Sequence, residues 1–370
     1  VWESYIRYYQ SYIYDNNLAI GMLYRIQEKK LIAVQQKFSK GTIDKILGLF
    51  DDVGKEFLDS AEKWARLLES PAPEFLRVGL DIEVSSTVAT RVPDPQEAAH
   101  PVVCVALYGS DNKKQLFILK RHSIETGNKE LPADAIVKYF DSEKRLLQKV
   151  FDALREYPFV LTFNGDDFDL PYLYNRARNH FSFERSQIPI DVGRRVCGVS
   201  HGVHIDLYKF FFNRSIQIYA FGNKYRDITL NEVGTALLDL PKIEFSKPIS
   251  ELSYTELAEY NLRDSEITLN LTSFDDNLVM KLALAISRIS RMPMEDVTRQ
   301  GVSRWIRNFL YFEHRQRGML IPNSEDILEL KGGTTTKAII KGKKYKGAIV
   351  VDPIPGVHFN VAVMDFASLY

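Results

Sequence analysis

The sequence has 370 residues, enough for two or three domains with ample cores. Hydrophobic residues make up 45% and charged residues 26%, ordinary for a soluble globular protein, and no apolar run reaches membrane-spanning length, which excludes a membrane-embedded helical protein. Lys plus Arg and Asp plus Glu balance at 48 each, so net charge carries no sign of nucleic acid and any binding face of that kind must be a local patch.

The start, Val1-Trp2-Glu3-Ser4, is not a signal peptide, and the chain is expected to be an internal piece trimmed at both ends. Tyr5 to Tyr14 and Leu23 to Val34 are Tyr-rich or apolar and read as strands. From Thr42 to Leu68 the residues Ile43, Ile46, Leu47, Phe50, Val53, Phe57 and Ala61 recur at spacings of three and four, which predicts one helix. Ser70-Pro71-Ala72-Pro73 is a breaker cluster and a domain boundary.

Beyond it, Phe75 to Val84, Val102 to Leu107 and Lys114 to Leu119 read as three buried strands, the last after the turn Gly109-Ser110-Asp111-Asn112. Ser142 to Arg155 is helical, Phe159 to Phe163 is a short buried strand, and His204-Ile205-Asp206 ends another. Leu252 to Leu271 is again helical. Strands followed by alternating helices and strands predict a mixed sheet covered by helices. Residues 275–318 are helix-dominated and arginine-rich; from Ala338 the pattern turns β-like, with Lys337, Lys341, Lys343, Lys344 and Lys346 close together. Cys104 and Cys197 fit no metal spacing and read as small buried apolar side chains in a reducing compartment.

Three acidic elements stand out. Leu80-Asp81-Ile82-Glu83-Val84 sets two carboxylates on one face of an apolar strand. Like charges there repel and lose hydration, so they call for a counter-cation, which a divalent metal supplies. Taken alone, this spacing more often marks two solvated acids at a strand end. Asn164-Gly165-Asp166-Asp167-Phe168-Asp169 follows a buried strand, where open α/β sheets place ligands. One of Asp166 and Asp167 reads as a turn and cap residue; Asp169, at the start of the next helix beside Phe168, is the better candidate ligand. In Tyr260-Asn261-Leu262-Arg263-Asp264 the Tyr260 hydroxyl and the Asp264 carboxylate share a helix face.

In this order, D-x-E, N-G-x-x-F-D and Y-x-x-x-D resemble the three exonuclease motifs of family B DNA polymerases, of the archaeal replicative type. The resemblance implies an α/β, ribonuclease-H-like 3′–5′ proofreading exonuclease with a mixed β-sheet and flanking helices, plus an α+β amino-terminal domain. By that resemblance Asp81, Glu83 and Asp264 hold one Mg²⁺ or Mn²⁺, and Asp169 with bridging Asp81 holds a second about 4 Å away. Tyr260 positions the attacking water, and Asn164 and Phe168 contact the frayed 3′ end, Phe168 by stacking on a base.

The resemblance covers about 75 to 370. Met292 to Val297, leading into Arg317 to Asn323, looks like the return to the amino-terminal domain. Tyr345-Lys346-Gly347-Ala348 resembles the Y-x-G-G/A motif between exonuclease and polymerase domains. Tyr345 and Gly347, with Lys343 and Lys344 beside them, are then expected to face DNA. Asp365-Phe366-Ala367-Ser368-Leu369-Tyr370 resembles the start of polymerase motif A, so Asp365 and Tyr370 belong to an incomplete polymerase site. The implied division is 1–73 amino-terminal, 74–273 exonuclease, 274–345 return segment and 346–370 the start of the palm. The piece itself is not expected to polymerise. Implied partners are the single-stranded 3′ end and primer-template DNA, the rest of the polymerase chain and a sliding clamp, with no membrane. The implied location is the cytoplasm, at the nucleoid. A free-standing ribonuclease of the same carboxylate class and a non-catalytic DNA-binding module are the competing readings.

Overall fold

The computed structural model describes residues 3, 5–34, 40–48, 54–85, 92–194, 196–323, 326–327, 337–340 and 343–346. In chain order the elements are α1 (Tyr8–Asp15), β1 (Tyr24–Gln27), β2 (Lys30–Ala33), α2 (Lys40–Leu47), α3 (Lys55–Glu69), β3 (Arg77–Val84), β4 (Val102–Gly109), β5 (Lys114–Leu119) and β6 (Ala135–Phe140). There follow α4 (Glu143–Leu154), β7 (Phe159–Thr162), α5 (Asp169–Asn175), β8 (Ile190–Val192), β9 (Cys197–Val199), β10 (Val203–Asp206), α6 (Leu207–Phe212) and α7 (Leu230–Leu238). The last are α8 (Tyr254–Ser290), α9 (Met294–Arg299), α10 (Val302–Gln316), β11 (Lys337–Ile340) and β12 (Lys343–Lys346). They form two compact units, Ile6–Met319 and Val1–Tyr5 with Leu320–Tyr370.

The larger unit is built on a six-stranded mixed sheet ordered β10-β7-β3-β4-β5-β6. β3, β4 and β5 form an antiparallel meander, while β7 runs parallel to β3, β10 parallel to β7 and β6 parallel to β5. Alternation along β3 sends Val78, Leu80, Ile82 and Val84 to one face, where they meet buried Leu146, Leu147, Val150 and Phe151 of α4. Each such side chain contributes about 1.5–3 kcal/mol by leaving water. Gly79, Asp81 and Glu83 face the other side, under α8. A Cβ at Gly79 would stand 2.4 Å from the Ser265 carbonyl oxygen and 3.0 Å from the Leu269 nitrogen. The bare glycine is what lets α8 lie this close to the central strand.

The amino-terminal expectations are corrected. Tyr5 to Tyr14 is not a strand but contains α1, with Ile13 and Tyr14 buried. The Tyr14 hydroxyl donates to Asn308 Oδ1 at 2.8 Å and Gln10 Nε2 donates to the same oxygen at 2.6 Å. Packing against α10 thus overrides the β preference of the tyrosines. The single helix expected over Thr42 to Leu68 is two, α2 and α3, and Gly54 caps α3 in an extended conformation. Glycine costs about 1 kcal/mol inside a helix, and a glycine stands at each facing end, Gly48 after α2 and Gly54 before α3; Phe50 and Val53 lie outside the described residues. Leu23 to Val34 is a hairpin, turning at Glu28 and Lys29 with φ of 49° and 63°. α8 runs far past Leu271 and carries four non-helical residues, Phe274–Asn277. β6 was missed because its residues are all intermediate or exposed and Lys138 interrupts its apolar residues.

Both cysteines are buried and free. Among the described residues no helix is long and apolar enough to cross a membrane. In the smaller unit the Tyr5 hydroxyl donates to the Pro322 carbonyl at 2.9 Å, and β11 and β12 pair antiparallel from Lys337↔Lys346 to Ile340↔Lys343. Lys343, Lys344 and Tyr345 lie on β12; Gly347, Asp365 and Tyr370 lie outside the described residues.

Candidate active site

β7 pairs with β3 only as far as Gly79↔Leu161 and ends at Thr162. β3 continues to Val84, so Asp81 and Glu83 stand beside the loop that leaves the sheet, in the kind of crevice where α/β sheets hold ligands. Across this notch α8 presents Asp264, and carboxylate oxygens of Asp81, Glu83 and Asp264 all lie within 4.8 Å of one another. Ser253 caps α8 in a reciprocal box with Glu256, which fixes where the helix starts and hence its phase. Tyr260 sits one turn before Asp264 on the same face.

Crowding of these acids, Asp81 and Glu83 half-buried and Asp264 buried, shows in their ionisation. Burial first, then Asp264, Glu83 and Asp169, drive Asp81 well above the usual carboxylate range. Glu83 is pushed up to about 8 by burial and by Asp264. Asp264 is raised by burial, partly offset by Lys242. Asp169, buried at the start of α5, is not within 4.8 Å of all three, but burial and the charges of Asp206 and Asp264 push it up to about 7. Tyr260 is pushed up to about 12 by burial and the Glu83 charge, so its hydroxyl keeps its proton.

Sequence reasoning missed two polar partners. Lys242 Nζ lies 2.5 Å from Asp264 Oδ2 and 5.2 Å from the centre of the Tyr260 ring. Burial alone would lower its pKa; Asp264 and Asp81 more than reverse that, so it stays charged. It comes from the connection after α7, and nothing local in the sequence marks it. Asn261 donates from Nδ2 to Asp81 Oδ2 at 2.5 Å. It could have been found, since it lies three residues before Asp264 and so shares its helix face.

A cleft of about 680 Å³ opens beside the acids, lined among others by Glu83, Phe168, Lys242, Phe245, Lys247 and Tyr260. Phe168 is half-buried, tilted against Tyr172 at 5.4 Å, and still presents surface to the cleft. Asn164 adopts a left-handed φ of 71° and donates its backbone N–H to Asp206 Oδ1 at 2.9 Å. Asp166 is more than a turn residue. Its carboxylate accepts from Arg299 Nε at 2.8 Å, Lys209 Nζ at 3.0 Å and the Cys197 N–H at 2.7 Å. None of these partners belongs to the acidic triangle, while Asp167 is exposed.

Whether a divalent cation fits can be judged from the donor atoms. Asp264 Oδ1 and Asn261 Oδ1 are buried with no hydrogen-bond partner. The set is all oxygen, the chemistry that suits Mg²⁺ or Mn²⁺, and one lysine does not balance the acids. The residues fit.

A family model described as DNA polymerase family B, exonuclease domain, matches residues 1–233, and one described as DNA polymerase family B matches residues 292–370. Asp81, Glu83 and Asp169 fall in the first span, whereas Tyr260 and Asp264 lie beyond it. The chain is 46% identical over 370 residues to DNA polymerase 1 of Sulfolobus acidocaldarius, covering 100% of this chain and 42% of that protein. It is 44% identical to DNA polymerase 1 of Saccharolobus solfataricus, with the same coverage, and 40% identical to DNA polymerase 1 of Aeropyrum pernix, covering 39% of that protein. The chain thus spans about two fifths of the length of these relatives.

Proposed function

The chain belongs to DNA polymerase family B and carries its exonuclease domain, and from that premise we propose that the acidic site removes nucleotides from the 3′ end of single-stranded DNA. The observation that carries this reading is the meeting of Asp81, Glu83 and Asp264, from a strand and a distant helix, within 4.8 Å at a cleft wall. Asp81, Glu83, Asp264 and Asp169 would hold divalent ions, Mg²⁺ or Mn²⁺. Such ions, when bound, supply Lewis-acid stabilisation of the charge that builds up on the phosphodiester.

The chain's own groups do the rest. Phe168 offers a face on which the terminal base stacks, a contact indifferent to sequence and worth about 1–3 kcal/mol. Asn164 lies in the same loop and is read as a further contact to the strand. The Tyr260 hydroxyl, protonated at any ordinary pH, orients the water that attacks phosphorus. Lys242 favours the ionised form of Asp264 against its burial and adds positive charge near the phosphate path. Asn261 holds one oxygen of Asp81 and so sets the direction of the other.

The sheet order, with β3 central, β4 antiparallel beside it and β7 and β10 parallel on the other side, supports the ribonuclease-H-like reading. We also read 1–73 as amino-terminal, 74–273 as the exonuclease domain, 274–345 as the return segment and 346–370 as the start of a palm. Tyr345, Gly347, Lys343 and Lys344 are proposed DNA contacts, and Asp365 and Tyr370 parts of a polymerase site completed by further chain. Primer-template DNA, the remainder of a polymerase and a sliding clamp are the proposed partners, at the nucleoid. Family membership favours DNA over the ribonuclease alternative.

The test is end-labelled single-stranded DNA with Mg²⁺ or Mn²⁺, alongside RNA of the same sequence. Shortening from the 3′ end, abolished in Asp81→Ala, is expected. Near-normal rates in that variant, or preference for RNA, would overturn the assignment.

A further inference from the structure

One guanidinium outside the acidic triangle reaches three separate parts of the nuclease. Arg299 is the last residue of α9, and its side chain is 9% exposed, against 0% for Asp166. Nε and Nη2 grip Asp166 Oδ2 and Oδ1 at 2.8 and 3.1 Å, a forked pair that fixes angle as well as distance. The same Nη2 donates to the Cys197 carbonyl at 2.7 Å and lies 2.9 Å from His204 Nδ1, which joins β9 and β10 to the contact. From the other side Asp206 accepts the backbone N–H groups of Asn164 and Asp166 at 2.9 and 3.1 Å.

Asp166 is therefore held by its side chain and its backbone at once, in the middle of the loop joining β7 to α5. Internal bonds carry that placement forward: Phe168 N–H reaches Asn164 O and Leu170 N–H reaches Gly165 O, both at 3.1 Å. The loop ends in Phe168 and Asp169. A buried ion pair adds little net stability over an apolar replacement of its shape, so what a forked pair contributes here is geometry.

We propose that Arg299 is a positioning residue of the nuclease: through its fork on Asp166 it sets the loop that delivers Phe168 to the cleft and Asp169 to the acids. The inference rests on the exonuclease reading of the site. It makes catalysis depend on a residue of α9 that touches neither the acids nor the cleft.

The test combines amide hydrogen exchange, which needs no activity, with turnover of single-stranded DNA. Arg299→Met, Arg299→Lys, Asp166→Asn and the Arg299→Met/Asp166→Asn double variant are compared with the unaltered chain. Exchange of residues 164–170 should quicken at least tenfold while β3 stays protected. kcat/KM should fall about 10–100-fold, the usual effect of losing an orienting partner, with KM raised because Phe168 moves. The double variant should be no worse than either single one, and Arg299→Lys, which keeps charge without the fork, should remain impaired. Unchanged exchange in the loop, additive losses, or a drop in kcat explained by a smaller fraction of Mn²⁺-binding molecules would overturn the proposal. If Arg299→Met does not fold, Arg299→Lys decides alone. An unaltered chain that digests no DNA indicts the exonuclease reading, whereas an active one indifferent to Arg299 indicts this inference.

Discussion

Lys242 Nζ stands 2.5 Å from Asp264 Oδ2, and the other oxygen of that carboxylate is buried with no hydrogen-bond partner. An ammonium thus occupies one side of the acidic cluster and leaves the other side open to a cation. The ammonium offsets part of the clustered negative charge, and it competes with a cation both for Asp264 and by direct repulsion.

Removing that ammonium should sharpen the cluster's need for metal. Lys242→Met should lower metal-free stability by up to about 3 kcal/mol, less than for a permanently charged partner because Asp264 can take up a proton. Mn²⁺ should then raise the melting temperature of the variant by more than that of the unaltered chain. Equal shifts at constant ionic strength would mean that Lys242 and the cation do not share Asp264.

Tyr260→Phe removes one oxygen that keeps its proton up to about pH 12. Turnover should fall about a hundredfold if that hydroxyl orients the water. Mn²⁺ affinity, measured by calorimetry, should stay within about twofold. Lost affinity would instead make the tyrosine a support for the acids.

Acid should weaken the fold through His204. Burial first, then the Arg299 charge, lowers its pKa to about 4, whereas the unfolded chain binds that proton near pH 6.5. The native state therefore binds fewer protons between these values, and stability present above pH 6.5 drains away as pH falls to 4, by about 3 kcal/mol. In Asp166, burial opposes ionisation but the Arg299 hydrogen bonds and the neighbouring charges win, holding it low. Its loss on protonation has the same sign. The raised acids Asp81, Glu83 and Asp169 contribute the opposite sign over the same range, so the check is a difference: the urea midpoint of the unaltered chain relative to that of His204→Gln should fall between pH 6.5 and 4.

Gly79→Ala adds one methyl group where backbone already stands 2.4 Å away. Backbone of α8 cannot rotate aside as a side chain could, so the variant should lose about 2–3 kcal/mol. Asp264 would be carried off from Asp81, and Mn²⁺ affinity should fall with stability. A variant of full stability would mean that α8 shifts freely over β3.

Much of the nuclease was legible in order along the chain. Alternation around Asp81 and Glu83 placed them on one face of a strand, and helical spacing placed Tyr260 with Asp264, because both periodicities are local backbone geometry. Buried strands at Phe75 to Val84 and Phe159 to Phe163 followed from runs of apolar residues that only a sheet interior can use. The tyrosines of α1 misled, since their β preference is a packing preference and their partner, Asn308, lies 294 residues away. Lys242 and Arg299 carried no local mark at all. Their roles come from which charges they meet, Asp264 and Asp166, and only the tertiary structure brings those charges within reach; in a buried setting an ion's meaning is set by its partner rather than by its neighbours in sequence.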